Sequence, residues 1–148
     1  MPVSAGTAYP APFDEAVRGR SRQKIGDAVG LTQFGVNLVR LPPGAASSHR
    51  HWHAREDEFV LVTEGELVLE EDDGETVLRV GDAAGFPVGR AVGHRLVNRS
   101  DADAAYLEVG TRSTDDVSTY TVADVDMQAV KSGTSDWRIL RKDGTPYD

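Results

Sequence analysis

The residues best placed to do chemistry are the four histidines, His49, His51, His53 and His94. The first three occupy alternate positions in one short window. Alternate side chains on a β-strand point to the same face, so this spacing predicts three imidazoles on one side of a strand. Neutral imidazole is the commonest metal ligand, and a metal satisfies buried ring nitrogens that would otherwise destabilise the fold. An exposed histidine-rich strand that binds nothing is the alternative.

A carboxylate follows this cluster. Glu58 begins an apolar run over residues 59–62, and a carboxylate at the start of a core strand is destabilising unless a cation lies beside it. A divalent metal ion would supply that charge, whereas the simpler interpretation is a solvated residue before the strand. His94 opens a later apolar run, and closure of a barrel could bring it to the first cluster. Taken alone, His94 could equally be a core histidine.

The elements that would position these residues are short strands. Runs rich in Val, Leu and Phe alternate with Gly, Pro and Asp turns, as in an all-β protein. The predicted strands cover residues 33–41, 48–53, 58–63, 66–71, 75–79, 83–86, 94–98 and 104–110. A hairpin turn is predicted at residues 72–74 and at most one short helix, at residues 122–130. Closely spaced short strands favour a single jelly-roll β-barrel, which removes exposed sheet edges.

The length of 148 residues favours one domain with its own core. Residues 1–24 are rich in Pro, Ala and Gly at their start and predict an extended N-terminal arm. The barrel is predicted over residues 25–126, followed by a polar C-terminal tail over 127–148. Within the arm, Arg18, Arg20, Arg22 and Lys24 alternate along the chain. We interpret this basic run as a solvated strand face or edge.

Charge and cysteine content exclude several classes of protein. The net charge of −8 argues against nucleic-acid binding, which needs clustered Lys and Arg. The absence of cysteine excludes disulfides, thiolate zinc sites and cysteine nucleophiles. The uncharged stretch over residues 28–39 is too short to span a membrane, and residues 1–13 lack the positive charge of a signal peptide. We therefore expect a soluble, cytoplasmic protein.

Two groups of residues resemble the two motifs of the cupin superfamily. The first group is a glycine, a histidine pair, a glutamate and a glycine: Gly44, His51, His53, Glu58 and Gly65. The second group is a glycine, a Pro-x-Gly turn, a histidine and an asparagine: Gly81, Pro87, Gly89, His94 and Asn98. One spacer in each motif is longer than usual, and both lie in predicted loops. The surrounding residues resemble small single-domain bacterial cupins of unassigned activity.

The resemblance implies that His51, His53, Glu58 and His94 bind one metal ion. The alternative pair, His49 and His51, would pair with Glu56 and place a threonine where the motif has Gly65. His49 is therefore interpreted as a nearby pocket residue or a strand-face residue.

Three imidazoles and a carboxylate suit Fe, Mn, Ni, Co or Zn. Open coordination positions on such an ion would let a substrate chelate it. The resemblance thus implies a metal-dependent enzyme acting on a small organic molecule, of the dioxygenase, isomerase or lyase type. A non-catalytic binding or sensing protein is the alternative. The resemblance also implies a homodimer, in which the N-terminal arm packs on the partner's sheet.

Further pocket residues are harder to identify from spacing. Arg95 follows His94 directly, whereas Tyr106 and Glu108 lie on the last predicted barrel strand. Parity places Tyr106 and Glu108 on the same face of that strand. One face of each barrel strand points to the interior, so all three are candidates to line the pocket.

Overall fold

The computed structural model describes residues 2–134 and 136–147. Within these ranges the chain forms two antiparallel sheets. In spatial order, the six-stranded sheet contains β1 (Ser4–Ala5), β2 (Ser21–Gln23), β3 (Phe34–Leu41), β10 (Ala104–Thr111), β5 (Glu58–Glu64) and β8 (Ala83–Phe86). The seven-stranded sheet contains β13 (Asp136–Leu140), β12 (Gln128–Ser132), β11 (Val117–Tyr120), β4 (His51–His53), β9 (His94–Val97), β6 (Glu66–Glu71) and β7 (Gly74–Arg79). This architecture confirms the predicted all-β jelly roll.

The main core lies between the two sheets. It is formed by almost completely buried side chains from both sheets. The six-stranded sheet contributes Val39, Val62 and Tyr106, and the seven-stranded sheet contributes Leu67 and Leu96. Apolar residues alternate along β5, so one face points into this core while Phe59 on the other face stays exposed. Alternation of this kind is what made the barrel strands predictable from the sequence.

Gly65 connects β5 to β6 and shows why the first motif needs glycine there. Its φ of +70° lies in the left-handed region, which is unfavourable for residues with a side chain. A Cβ atom at this position would lie 2.7 Å from the backbone oxygen of Asp103. Both conformation and space therefore require glycine, and the tight turn places Glu66 at the start of the next strand.

The C-terminal prediction needs correction. Residues 122–130 form turns and the start of β12 instead of a helix. Residues 127–148, predicted as a polar tail, contain the β12–β13 hairpin. The physical reason is a second apolar cluster, which stabilises this hairpin. Its buried members are Tyr120, Val125, Met127 and Ala129, and Trp137 and Ile139 pack against them. The hairpin extends the sheet that carries β4.

The N-terminal arm folds onto its own chain. Strand β1 pairs with β2, and β2 pairs with β3 at the edge of the six-stranded sheet. Tyr9 and Phe13 pack against the C-terminal cluster, so the arm contacts both sheets. Exchange of this strand between two copies remains a prediction.

Helical structure among the described residues is limited to short segments. A 3₁₀ helix covers Phe13–Val17 and a one-turn α-helix, α1, covers Ile25–Ala28. No helix in the described part of the chain is long and apolar enough to cross a membrane.

Candidate metal centre

Three strands bring the predicted ligands together. His51 and His53 lie on β4, His94 is the register partner of His51 on β9, and Glu58 projects from β5 in the opposite sheet. The Glu58 Oε1 atom lies 2.5 Å from His53 Nε2, 3.3 Å from His94 Nε2 and 3.8 Å from His51 Nε2. Three Nε2 atoms therefore surround one carboxylate oxygen inside the barrel.

Hydrogen bonds fix the tautomers of two of these histidines. His51 Nδ1 lies 2.8 Å from the backbone oxygen of His49, which can only accept, so His51 Nδ1 carries the proton. His53 Nδ1 lies 2.5 Å from Asp116 Oδ2 and donates to that carboxylate. Because each Nδ1–H is engaged elsewhere, Nε2 is the ring nitrogen of His51 and His53 that faces Glu58. Metal-binding histidines commonly have an outer partner of this kind.

Orphaned polar atoms at this site fit a missing cation. Glu58 Oε1 and both ring nitrogens of His94 are buried and make no hydrogen bond with the described residues. Phe86 stacks on His94 at 3.6 Å between ring centroids, which fixes the ring plane with its Nε2 toward Glu58. Buried polar atoms without partners are costly, and a divalent ion would satisfy them. The donor set of three nitrogens and one carboxylate suits a transition metal.

The electrostatics of the site favour a positive charge beside Glu58. Burial, together with the neighbouring charge of His53, lowers the pKa of His51 to about 3 and keeps that ring neutral. Burial alone would lower the pKa of His53, but the hydrogen bond to Asp116 and the contact with Glu58 raise it to about 10. Burial would raise the pKa of Glu58, yet contact with His53 holds it well below its usual value. A proton on His53 thus occupies the position that a metal ion would take.

Two of the predicted pocket residues lie elsewhere. His49 Nε2 contacts the backbone oxygen of Phe13 at 2.8 Å, and its ring packs against Tyr9. The reason is that β4 begins only at His51, so His49 does not continue the alternation. Arg95 points away from the barrel interior, because its neighbour His94 points inward, and it binds Glu70 with Nε 3.0 Å from Oε1.

Tyr106 and Glu108 do line the pocket, on the same face of β10 as predicted from parity. Tyr106 is almost fully buried, and Glu108 accepts a hydrogen bond of 2.8 Å from Asn37 Nδ2. The pocket has a volume of about 570 Å³ and also contains the four predicted ligands. This volume suits a small metabolite, since ligand pockets usually measure about 300–1,000 Å³.

The family assignment follows from a match to the model of the cupin domain. It covers residues 37–110, half of the 148 residues, and includes all four predicted ligands. The chain belongs to the cupin superfamily. No curated protein matches this sequence.

Solved structures of other cupins are similar to this one over different lengths. A sugar phosphate isomerase of the cupin superfamily from Silicibacter pomeroyi is 49% identical, with a TM-score of 0.92 over 100% of this chain and 92% of that chain. A candidate sugar phosphate isomerase from Acidithiobacillus ferrooxidans is 26% identical, with a TM-score of 0.74 over 87% of this cupin and 80% of its own chain. The polyketide cyclase RemF from Streptomyces resistomycificus, 18% identical over 65% of this chain and 67% of its own, has a TM-score of 0.57 and shares the fold.

Asp116 is a site residue of this cupin that spacing did not reveal. It is fully buried, and its Oδ1 accepts a hydrogen bond of 2.7 Å from the backbone N–H of Arg55. This bond holds the carboxylate so that Oδ2 meets His53. Only the pairing of β11 with β4 brings the two residues together, so no local pattern could have indicated it.

A second acidic group adjoins the site. His53, Glu56 and Asp116 lie close enough to hold an ion. Glu56 Oε2 already contacts Lys131 Nζ at 2.5 Å and accepts a hydrogen bond from the backbone N–H of Ser113. Because a lysine supplies the charge that a metal would bring, this group is a buried ion pair supporting the neighbouring cluster.

Replacement of Asp116 by asparagine should weaken metal binding by about 10–100-fold, as is typical for partners of metal-bound histidines. The substitution keeps the shape of the side chain but removes the negative charge beside His53 Nδ1. Metal affinity, measured by competition with a chromogenic chelator, checks this result. Asp115→Asn is the matched control, because Asp115 is 69% exposed and contacts only the surface end of Arg55. Equal affinities for both variants would contradict the role of Asp116.

Proposed function

We propose that this cupin is a metal-dependent isomerase that acts on a phosphorylated sugar. The observation that carries the proposal is the pocket itself, where a donor set suited to a metal ion shares a small cavity with a further carboxylate, Glu108, which is not one of the predicted ligands. Support for the substrate class comes from the Silicibacter pomeroyi sugar phosphate isomerase, since 49% identity extends over the whole of this chain.

His51, His53, Glu58 and His94 would hold one divalent ion, of Fe, Mn, Ni, Co or Zn. When bound, the ion would supply Lewis-acid polarisation of the carbonyl and the neighbouring hydroxyl of the sugar. The donor atoms Glu58 Oε1 and His94 Nε2 are buried, which strengthens their electrostatic interactions.

Glu108 is the proposed base that moves the proton between carbon atoms. Aldose–ketose isomerisation removes a proton from the carbon beside the carbonyl and returns it to the former carbonyl carbon. Strands β10 and β5 are paired, with Glu108 opposite Val60 and Gly110 opposite Glu58. The two carboxylates therefore lie on adjacent strands, two residues apart along the strand direction. A base at this position, close to the predicted metal ligands, can reach a substrate that is bound beside Glu58. Asn37 fixes the carboxylate through its hydrogen bond.

Tyr106 complements this base. Burial raises the pKa of its hydroxyl, so the side chain stays protonated at neutral pH and can donate a hydrogen bond to a substrate oxygen. Its ring forms the floor of the pocket beside Val39 and Val62, its register partners.

The homodimer remains part of the proposal. Three leucines lie side by side on neighbouring strands of the six-stranded sheet, on the face that points away from the core. They are Leu38, Leu107 and Leu61. An apolar row on a sheet face that points away from the core is suited to packing on a second copy.

The experiment is proton NMR of five- and six-carbon aldose and ketose phosphates in D₂O, with protein loaded with each candidate metal. We expect conversion of at least one substrate with deuterium incorporated at the carbon beside the carbonyl. Glu108→Gln should lower kcat by at least about 100-fold while metal content is unchanged. Glu75→Gln, on the exposed strand β7, is the control and should retain the parent rate.

Metal-loaded protein that neither exchanges the proton nor converts any of these substrates would refute the proposal. If such protein nevertheless bound a sugar phosphate, the non-catalytic binding alternative would replace it. Uptake of dioxygen or release of a fragment would instead assign the dioxygenase or lyase type.

A further inference from the structure

The basic run of the arm faces the pocket. Arg20, Arg22 and Lys24 all contribute to its lining, whereas Arg18 does not and keeps 75% of its side chain exposed. The interpretation of this run as a solvated face is therefore wrong for Arg20 and Arg22, which are partly buried, whereas Arg18 and Lys24 are exposed. The reason is that β2 pairs with β3 and continues the six-stranded sheet over the barrel interior.

The three lining residues are not equivalent. Both terminal nitrogens of Arg20 donate hydrogen bonds to backbone oxygens. One lies 2.5 Å from the oxygen of Ser47 and the other lies 3.3 Å from the oxygen of Gly6. This arrangement ties the arm to the barrel. Arg22 differs, because its Nε is buried, lies 3.3 Å from Glu108 Oε1 and makes no hydrogen bond.

The terminal nitrogens of Arg22 are available for a ligand. No hydrogen bond joins them to any residue in the described part of the chain, and the side chain is 30% exposed. Lys24 follows at the next alternate position and is exposed at the pocket mouth. A guanidinium and an ammonium at alternate positions present several donors to one anion.

Arg22 and Lys24 lie at the side of the pocket formed by the arm, apart from Glu58. Strand β2 lies three positions from β5 in the sheet, which is a separation of about 14 Å at the usual strand spacing. Arg22 and Glu58 both line the pocket, so the guanidinium shares one cavity with the predicted metal ligands but lies on a strand that is not adjacent to theirs.

We infer that Arg22 and Lys24 bind the phosphate group of the substrate, an inference that rests on the proposed isomerase function. Arg22 would form paired hydrogen bonds from its terminal nitrogens to two phosphate oxygens, and Lys24 would neutralise the remaining charge. This subsite also offsets the repulsion that the phosphate would meet from Glu108. It fixes the orientation of the substrate, with its phosphate at the arm and its reacting end at the histidines.

The test is isothermal titration of the purified protein with inorganic phosphate at constant ionic strength. Arg22→Gln should weaken phosphate binding by about tenfold or more, the usual loss for a hydrogen-bonded charged partner. Lys24→Gln should give a smaller loss and, because Lys24 is exposed, leaves the fold intact. Arg18→Gln removes one charge from the same run outside the pocket and should bind phosphate like the parent protein.

Equal phosphate affinity in Arg22→Gln, Lys24→Gln and Arg18→Gln would overturn the inference. Titration with acetate under the same conditions tests whether the subsite prefers phosphate to a carboxylate. The inference would also be overturned if acetate bound as tightly as phosphate and lost the same affinity in the Arg22 and Lys24 variants. The proposed function fails separately, through absence of isomerisation, even where phosphate binding depends on Arg22. In a functioning isomerase, Arg22→Gln should raise KM for the sugar phosphate at unchanged metal content.

Discussion

Alanine at His51, His53 or His94 is expected to reduce metal affinity by more than about 100-fold, beyond the loss for an outer partner. Each substitution removes one of the three Nε2 atoms that surround Glu58. Alanine at His49 should leave metal content at the level of the parent, because its ring contacts the arm. Elemental analysis of the purified variants measures both effects.

Thermal unfolding provides an independent measurement of the same site. An ion that binds only the folded protein stabilises it by about 3–4 kcal/mol at a hundred to a thousand times the dissociation constant. A chelator should therefore lower the Tm of the parent and of His49→Ala by several degrees, and leave His94→Ala unchanged. The proton on His53 competes with the metal, so the chelator effect should be larger at pH 7.5 than at pH 5.5. Equal metal loss in His49→Ala and His51→Ala would contradict the ligand assignment.

Replacement of Lys131 by methionine should lower the free energy of unfolding by about 3–5 kcal/mol. Lys131 and Glu56 expose only 3% and 8% of their side chains, so the variant leaves a buried carboxylate without its cation. Methionine retains the aliphatic packing beside Trp137, which isolates the loss of charge. Urea unfolding with a linear fit measures the change.

A surface pair provides the matched control for this substitution. Arg40 and Glu64 form an ion pair with about half of each side chain exposed, so Arg40→Met should cost less than about 1 kcal/mol. Adding Glu56→Gln to Lys131→Met should recover much of the loss, because a neutral amide still accepts from Ser113. A smaller effect at Lys131 than at Arg40 would show that the buried pair is not needed for stability.

Local alternation was sufficient to predict the barrel strands. Strand β5 alternates Val60 and Val62 with exposed positions, and the β6–β7 hairpin turns at the predicted residues 72–74. The spacing of the histidines with Glu58 was sufficient to identify side chains that the fold then brings together. Both features are encoded in short segments, so they can be predicted without knowledge of the tertiary contacts.

Long-range contacts account for what the sequence did not reveal. Asp116, directly before β11, and Lys131 on β12 are buried, and these charged residues made their segments look polar. These groups are tolerated inside only because His53 and Glu56, far away in the chain, compensate them. Arg20 and Arg22 were misinterpreted for the same reason, since nothing local indicates that their strand lines the pocket.

The division of the predicted ligands between the two sheets determines when a complete metal site can exist during folding. Glu58 belongs to one sheet and the histidines to the other, and β4 meets β9 only at the pair His51–His94. His51, His53 and Glu58 are close together in the sequence, whereas His94 comes from a distant segment. Contacts between distant segments form late in folding, because loop closure must precede them. The complete set therefore exists only after the barrel has closed, so an ion held by all four residues would bind the folded protein.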